Sequence, residues 1–165
     1  MTQRSAARPA VTVATVAERD GAFLLVRERT RRGVCLNQPA GHLERGESLT
    51  DGAARETLEE AAWRVEPFAL VGVYRWEAPD TGATFVRFAF AARPVTAVAG
   101  RALDRDIVDA LWLPYEEIVA RRSEHRSPLV LRCIDDFRTG TRWPLDVVRE
   151  VTGDGAGLFR SAGDA

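Results

Sequence analysis

Glu56, Glu59 and Glu60 fall at i, i+3 and i+4 within the run GHLERGESLTDGAARETLEEAAW, which extends from Gly41 to Trp63. On a helix this spacing crowds three carboxylates onto one face. Like charges that close repel one another unless a cation neutralises them, so the cluster does not serve the helix's own stability. Hard carboxylate oxygens suit Mg²⁺, with Mn²⁺ as a substitute, better than zinc. Phosphate chemistry becomes the leading idea. A plain reading competes: a solvated, Glu-rich helix face paired with Arg55. That reading gives no reason for Gly41 or Glu47 upstream.

Gly41, then Glu47, then Arg55-Glu56, then Glu59-Glu60 carry the spacing of a known signature. The run resembles the Nudix box of hydrolases that cleave diphosphate linkages. At residue frequencies of roughly 7% each, six fixed identities coincide by chance in about one window in ten million. Two positions depart from the pattern. Thr57 stands where a bulky aliphatic residue is usual, and Ala62 stands where a glycine is usual. A left-handed alanine there would cost roughly 1–2 kcal/mol, unless the helix runs on by a turn. The motifs Asn37-Gln38-Pro39-Ala40-Gly41-His42-Leu43-Glu44, Arg126-Ser127-Pro128-Leu129-Val130 and Trp143-Pro144-Leu145 are similar to one bacterial branch of that family. Its members are phosphatases releasing orthophosphate from thiamine-type diphosphates and from nucleoside di- and triphosphates. The similarity runs from about Val11 to Val148.

The resemblance implies an α/β/α sandwich with a mixed sheet, in which the box forms a loop–helix–loop. It also implies Mg²⁺ held by Glu56, Glu59 and Glu60, with the backbone carbonyl of Gly41 as a further ligand. Glu56 and Glu59 are both candidates for the general base. Arg55 would orient the glutamates through charge-assisted contacts, and Glu47 would brace the loop. Hydrolysis of a diphosphate needs charge neutralised on phosphoryl oxygens and a water aimed at phosphorus, and such a set can do both.

Outside the box, Asp104, Asp106 and Glu116 could each add a carboxylate, Asp106 being the first choice. Trp76 lies at a strand end where an aromatic can stack on a pyrimidine, purine or thiazolium ring. Arg87 interrupts the apolar FVRFAF, so if buried it needs a phosphate or carboxylate partner. Arg27 and Arg29 end a strand and can meet phosphates. His42 and His125 read as surface or packing residues, and Trp63, Trp112 and Phe137 as core.

Composition excludes several alternatives. All 23 basic residues are arginine, so a lysine nucleophile or Schiff base is impossible. A net charge of −1 argues against steering toward a nucleic-acid polymer. Cys35 and Cys133 are too few for a disulfide framework and fit free thiols in a reducing cytoplasm. Charged Glu18, Arg19 and Asp20 cut short any signal-peptide core after Arg4 and Arg8, and no apolar run reaches membrane-spanning length. The expected partner is a small diphosphate substrate, and the expected state a monomer or homodimer. Two rivals remain: a pyrophosphohydrolase that releases pyrophosphate from nucleoside triphosphates, and a non-catalytic ligand-binding Nudix module. A helical di-iron site would want Glu-x-x-His motifs on two helices, and neither histidine is so placed.

A single domain over 9–150 is expected to hold these residues, with flexible tails at 1–8 and 152–165. Val11–Val16, an Asp20-Gly21 turn and Ala22–Val26 predict a hairpin. Gly33–Ala40 reads as loop or short strand. A helix is predicted from Leu49 to about Ala62, capped by Ser48 with Asp51 at capping-box spacing. Leu49, Ala53, Thr57, Leu58 and Ala61 would face a sheet. Phe68–Trp76 and Thr84–Ala92 predict a second hairpin, and Asp106–Leu113 a strand. Short and longer helices are predicted at Tyr115–Arg121 and from Pro128 to about Arg138, the latter ended by Gly140.

Overall fold

The computed structural model describes residues 8–140, 142–149 and 151. Both expected tails therefore lie, Arg8 apart, outside the described residues. Seven strands and three helices follow in the order β1 (Ala10–Arg19), β2 (Ala22–Thr30), β3 (Gly33–Asn37), β4 (Ala40–His42), α1 (Leu49–Ala61), β5 (Trp63–Glu77), β6 (Thr84–Ala97), β7 (Ile107–Pro114), α2 (Tyr115–Ala120) and α3 (Leu129–Arg138).

The sheet is mixed, and β1 is its hinge. Its first part runs parallel to β6, from Ala10↔Phe85 to Ala17↔Ala92. Its other edge is antiparallel to the short β4, through Thr12↔His42 and Val13↔Gly41. Its last residues turn away to pair with β2. That hairpin closes on Asp20 (φ 53°) and Gly21 (φ 80°), both left-handed as a tight two-residue turn requires. β2 lies between β3 and β7. The stretch read as loop or short strand supplies two strands, β3 and β4, and the second hairpin is longer than predicted, running Trp63–Glu77 and Thr84–Ala97.

Side chains alternate across a strand, and here the alternation sorts the core into two faces. Val13, Leu70 and Phe90 pack with Leu49 and Ala53 of α1. Ala69, Val71, Ala89 and Ala91 pack with Val130, Cys133 and Ile134 of α3. Helices thus cover opposite faces of a mixed sheet, an α/β/α arrangement. Trp63 and Trp112 meet edge to face at 5.2 Å beneath Arg19, only half-buried at the margin of a third cluster. Phe137 is likewise half-buried. Cys35 and Cys133 are buried, free thiols. Among the described residues no helix is long and apolar enough to cross a membrane.

Candidate active site

Local sequence fixes α1 before any tertiary contact does. Ser48 is extended (φ −75°, ψ 158°), and its hydroxyl accepts the Asp51 N–H at 3.0 Å, satisfying an orphan donor of the first turn. At the other end Ala62 is left-handed (φ 53°, ψ 32°), its N–H closing on Leu58 O. The helix therefore stops where a glycine would be most comfortable. Of the positions expected to face the sheet, Leu49, Ala53, Thr57 and Ala61 are buried, whereas Leu58 is only half-buried. Thr57 stands in for the usual aliphatic residue because β1 offers it a partner: its hydroxyl meets Thr15 Oγ1 at 2.7 Å and donates to Ala53 O at 2.8 Å.

Arg55 organises the loop and the helix together. Its Nε and Nη2 donate to both oxygens of Glu47, at 2.9 and 2.7 Å. Nη1 donates to Glu56 Oε1 at 2.8 Å and Glu59 Oε2 at 2.9 Å, while Nη2 reaches the His42 carbonyl at 3.2 Å. These bonds raise the Arg55 pKa, Glu47 contributing most, and Arg55 in turn holds the Glu47 carboxyl below its ordinary value. Glu47 Oε1 also accepts the Glu44 N–H at 2.7 Å, tying the loop to itself. The Glu56 carboxylate packs directly on Gly41, so that a Cβ there would overlap it. Glycine at 41 leaves room for the carboxylate where Arg55 holds it, and its backbone angles are not left-handed.

Glu56 and Glu60 are both buried, and they border a cavity of about 880 Å³ between α1 and the strand ends. Burial pushes the Glu56 carboxyl up against the pull of Arg55. It pushes Glu60 up to about 8, since Glu60 has the Ala40 N–H at 2.9 Å but faces the charges of Glu56, Glu28 and Asp104. Among the described residues no three His, Cys, Asp or Glu side chains form a finished metal cage. Arg55 draws one oxygen each of Glu56 and Glu59 toward itself, and of these two glutamates only Glu56 borders the cavity.

A family model described as the NUDIX domain matches residues 6–133. The chain belongs to the Nudix family. It is 39% identical over 141 residues to proteins named phosphatase NudJ from Shigella boydii and from Escherichia coli K12, covering 86% of this chain and 91% of each relative. A solved Nudix hydrolase from Nitrosomonas europaea superposes with a TM-score of 0.85 at 44% identity, over 87% of this chain and 98% of that one. The protein is thus a Nudix phosphohydrolase acting on diphosphates, and hydrolases of this family work with divalent metals. The donor set suits such an ion: oxygen ligands only, two of them on buried glutamates.

The Nudix cavity gathers most, though not all, of the residues singled out from sequence. Gly41, Glu56, Glu60, Trp76, Arg87 and Asp106 border it, as do Arg29 and Asp104. Asp104 lies closer in its effect to the box, its charge acting on Glu56 and Glu60, whereas that of Asp106 acts on Glu28. Arg27 is placed elsewhere: its guanidinium is engaged by Asp109 across the β2–β7 pair, with Nε at 2.7 Å from Oδ1, and it does not border the cavity. Glu116 lies away from it too. His42 gives the site its carbonyl, and His125 Nε2 contacts the Ile118 carbonyl at 3.0 Å. Sequence reasoning passed over Glu28 and Thr12, which also border the cavity. Glu28 sits between Arg27 and Arg29, where a single acidic residue reads as an ordinary strand charge.

Proposed function

We propose that this chain is an Mg²⁺-dependent Nudix phosphatase that cuts the terminal anhydride of thiamine-type diphosphates and of nucleoside di- and triphosphates, releasing orthophosphate. The observation that carries the reading is a pair of buried glutamates, Glu56 and Glu60, at the wall of a cavity, with no basic side chain among the described residues bonded to Glu60. Such a carboxylate is stable in ionised form only beside a cation. The name phosphatase, carried by relatives 39% identical to this chain, supports a terminal cut over an internal one.

Glu56, Glu59 and Glu60, with the Gly41 carbonyl, would hold Mg²⁺; when bound, the ion would neutralise phosphoryl oxygens and acidify water. The protein's own groups do the rest. Arg55 holds Glu47, Glu56 and Glu59 through four hydrogen bonds, which preorganises these carboxylates. The proton of the attacking water passes to Glu56 or Glu59, which Glu56→Gln and Glu59→Gln separate by their pH–rate profiles. A single catalytic domain over 9–150, a cytoplasmic setting and a monomeric or homodimeric state complete the proposal.

The test is a colorimetric orthophosphate assay on thiamine diphosphate, nucleoside diphosphates and nucleoside triphosphates, with and without added pyrophosphatase, in Mg²⁺ and in chelator. Colour without pyrophosphatase that vanishes in chelator is the expected result. Colour only after pyrophosphatase would instead make the enzyme a nucleotide pyrophosphohydrolase, and no colour would leave a binding module.

A further inference from the structure

Among the described residues four buried side-chain polar atoms lack a hydrogen-bond partner: Thr12 Oγ1, Glu28 Oε1, Arg87 Nε and Trp112 Nε1. Three of the four belong to residues that border the cavity at the box, and none of these is part of the Nudix box. Folded proteins leave few such atoms, because each costs ~1–3 kcal/mol. Three on one wall therefore suit a ligand that meets them together.

Their placement is fixed by the sheet. Arg87 on β6 is the register partner of Thr12 on β1, and Phe85, two residues earlier, is the partner of Trp76 on β5. Paired residues and residues two apart share a face, so Thr12, Phe85, Arg87 and Trp76 stand together on the α3 side. Trp76 and Phe85 stack there, with ring centroids 5.6 Å apart and planes inclined by 27°. Arg87 is buried without an ion pair among the described residues; its Nη1 makes only long contacts, 3.5 Å each, to Asn37 Oδ1 and Gln38 Oε1. Glu28 Oε1 is ion-paired with Arg126 Nε at 2.9 Å, which balances its charge but lies off the N–H direction, so the oxygen keeps accepting capacity toward the cavity.

The mixed character of these atoms decides what they fit. Arg87 Nε donates, the Glu28 carboxylate accepts, and the Thr12 hydroxyl does either. A further phosphate, which only accepts, would suit Arg87 and Thr12 but be repelled by Glu28. A flat ring bearing a donor and an acceptor on one edge suits all three, with its face against the Trp76–Phe85 pair. A cavity of about 880 Å³ also exceeds what a diphosphate group alone would fill.

We propose that Thr12, Glu28 and Arg87, beside Trp76 and Phe85, form the subsite for the organic half of the substrate. That half is a nitrogen heterocycle presenting a hydrogen-bond donor and acceptor along one edge. The proposal rests on the diphosphate-hydrolase reading, and binding separates the two. Adenosine and cytidine 5′-monophosphates have no anhydride to cut, so their affinity for the Mg²⁺-loaded protein can be titrated by tryptophan fluorescence or calorimetry. Ribose 5-phosphate is the ringless control, and purine riboside 5′-monophosphate lacks the exocyclic amino donor.

Both nucleotides should bind at least about tenfold more tightly than ribose 5-phosphate, with the purine riboside compound in between. Thr12→Val keeps the shape of a buried β-branched residue, and Glu28→Gln keeps that of the carboxylate. Each should cut the nucleotide-to-ribose-phosphate affinity ratio at least about threefold. Equal affinity for ringed and ringless phosphates would mean that solvent completes this wall, and would overturn the proposal. So would an unchanged ratio in both variants, or no measurable binding of any probe. If orthophosphate release by the wild type survives such a result, only the subsite falls. If the ratio stands and no anhydride is cut, the hydrolase reading falls instead.

Discussion

Replacing Glu60 by glutamine should make the metal-free protein more stable at alkaline pH while abolishing its chemistry. Glu60 is 8% exposed, accepts the Ala40 N–H, and is pushed up from 4.5 to about 8 mainly by burial. A carboxyl whose pKa rises on folding binds its proton more tightly folded than unfolded. Its contribution is fully present below the unfolded value of 4.5 and is lost as pH rises toward about 8. With each pKa unit worth about 1.4 kcal/mol, that 3.5-unit rise sets a ceiling of about 5 kcal/mol on the loss. Glutamine keeps an oxygen for Ala40 and never ionises. In chelator, urea unfolding followed by tryptophan fluorescence should give Glu60→Gln an advantage of ~2 kcal/mol or more at pH 8, shrinking below ~1 kcal/mol at pH 5. Mg²⁺ at pH 8 should stabilise the wild type and do less for the variant. If Glu60→Gln is destabilised equally at both pH values, Glu60 is not a desolvated carboxylate awaiting a cation.

Other substitutions probe the remaining supports. Glu59→Gln should remove most Mg²⁺-dependent turnover with an unchanged urea midpoint; near wild-type rates in it and in Glu60→Gln would sink the site assignment. Arg55→Lys keeps the charge but loses the fork that grips Glu47, Glu56 and Glu59, so kcat should fall by at least about tenfold with a smaller change in KM. Ala62→Gly relieves the left-handed alanine (φ 53°) and should stabilise by ~1 kcal/mol, a rise in melting temperature of about 2–4 °C. Thr57→Val strands the buried Thr15 hydroxyl, which Thr57 now meets at 2.7 Å, and should cost ~1–3 kcal/mol in chemical denaturation.

Sequence disclosed the box helix well because its signals are local. Ser48 caps, Asp51 sits at the right offset, and the glutamates recur at helical spacing, all within one segment. Strands were located but their partners were not. Nothing in Val11–Val16 says that β1 runs parallel to β6 along one stretch and turns to β2 at its end, since that choice depends on residues 75 positions away. The same limit hid the far wall of the cavity. Arg87 was conspicuous as a cation in an apolar run, but Thr12 and Glu28 acquire meaning only when the sheet register and β2 bring them to the same space. Arg27 shows the converse, because Asp109, its partner, is supplied by a distant strand. The two departures from the box divide likewise. The cost at Ala62 could be stated from sequence alone, whereas the hydroxyl pair that explains Thr57 needed β1 beside it.

The most direct measurement follows a nucleoside triphosphate with the wild-type enzyme and Mg²⁺ in ¹⁸O-labelled water, with products resolved by phosphorus NMR and mass spectrometry. Attack at the terminal phosphorus should give nucleoside diphosphate and orthophosphate as the first products, with the label in orthophosphate. Pyrophosphate and nucleoside monophosphate as the first products would contradict the terminal cut and move the enzyme to the pyrophosphohydrolases.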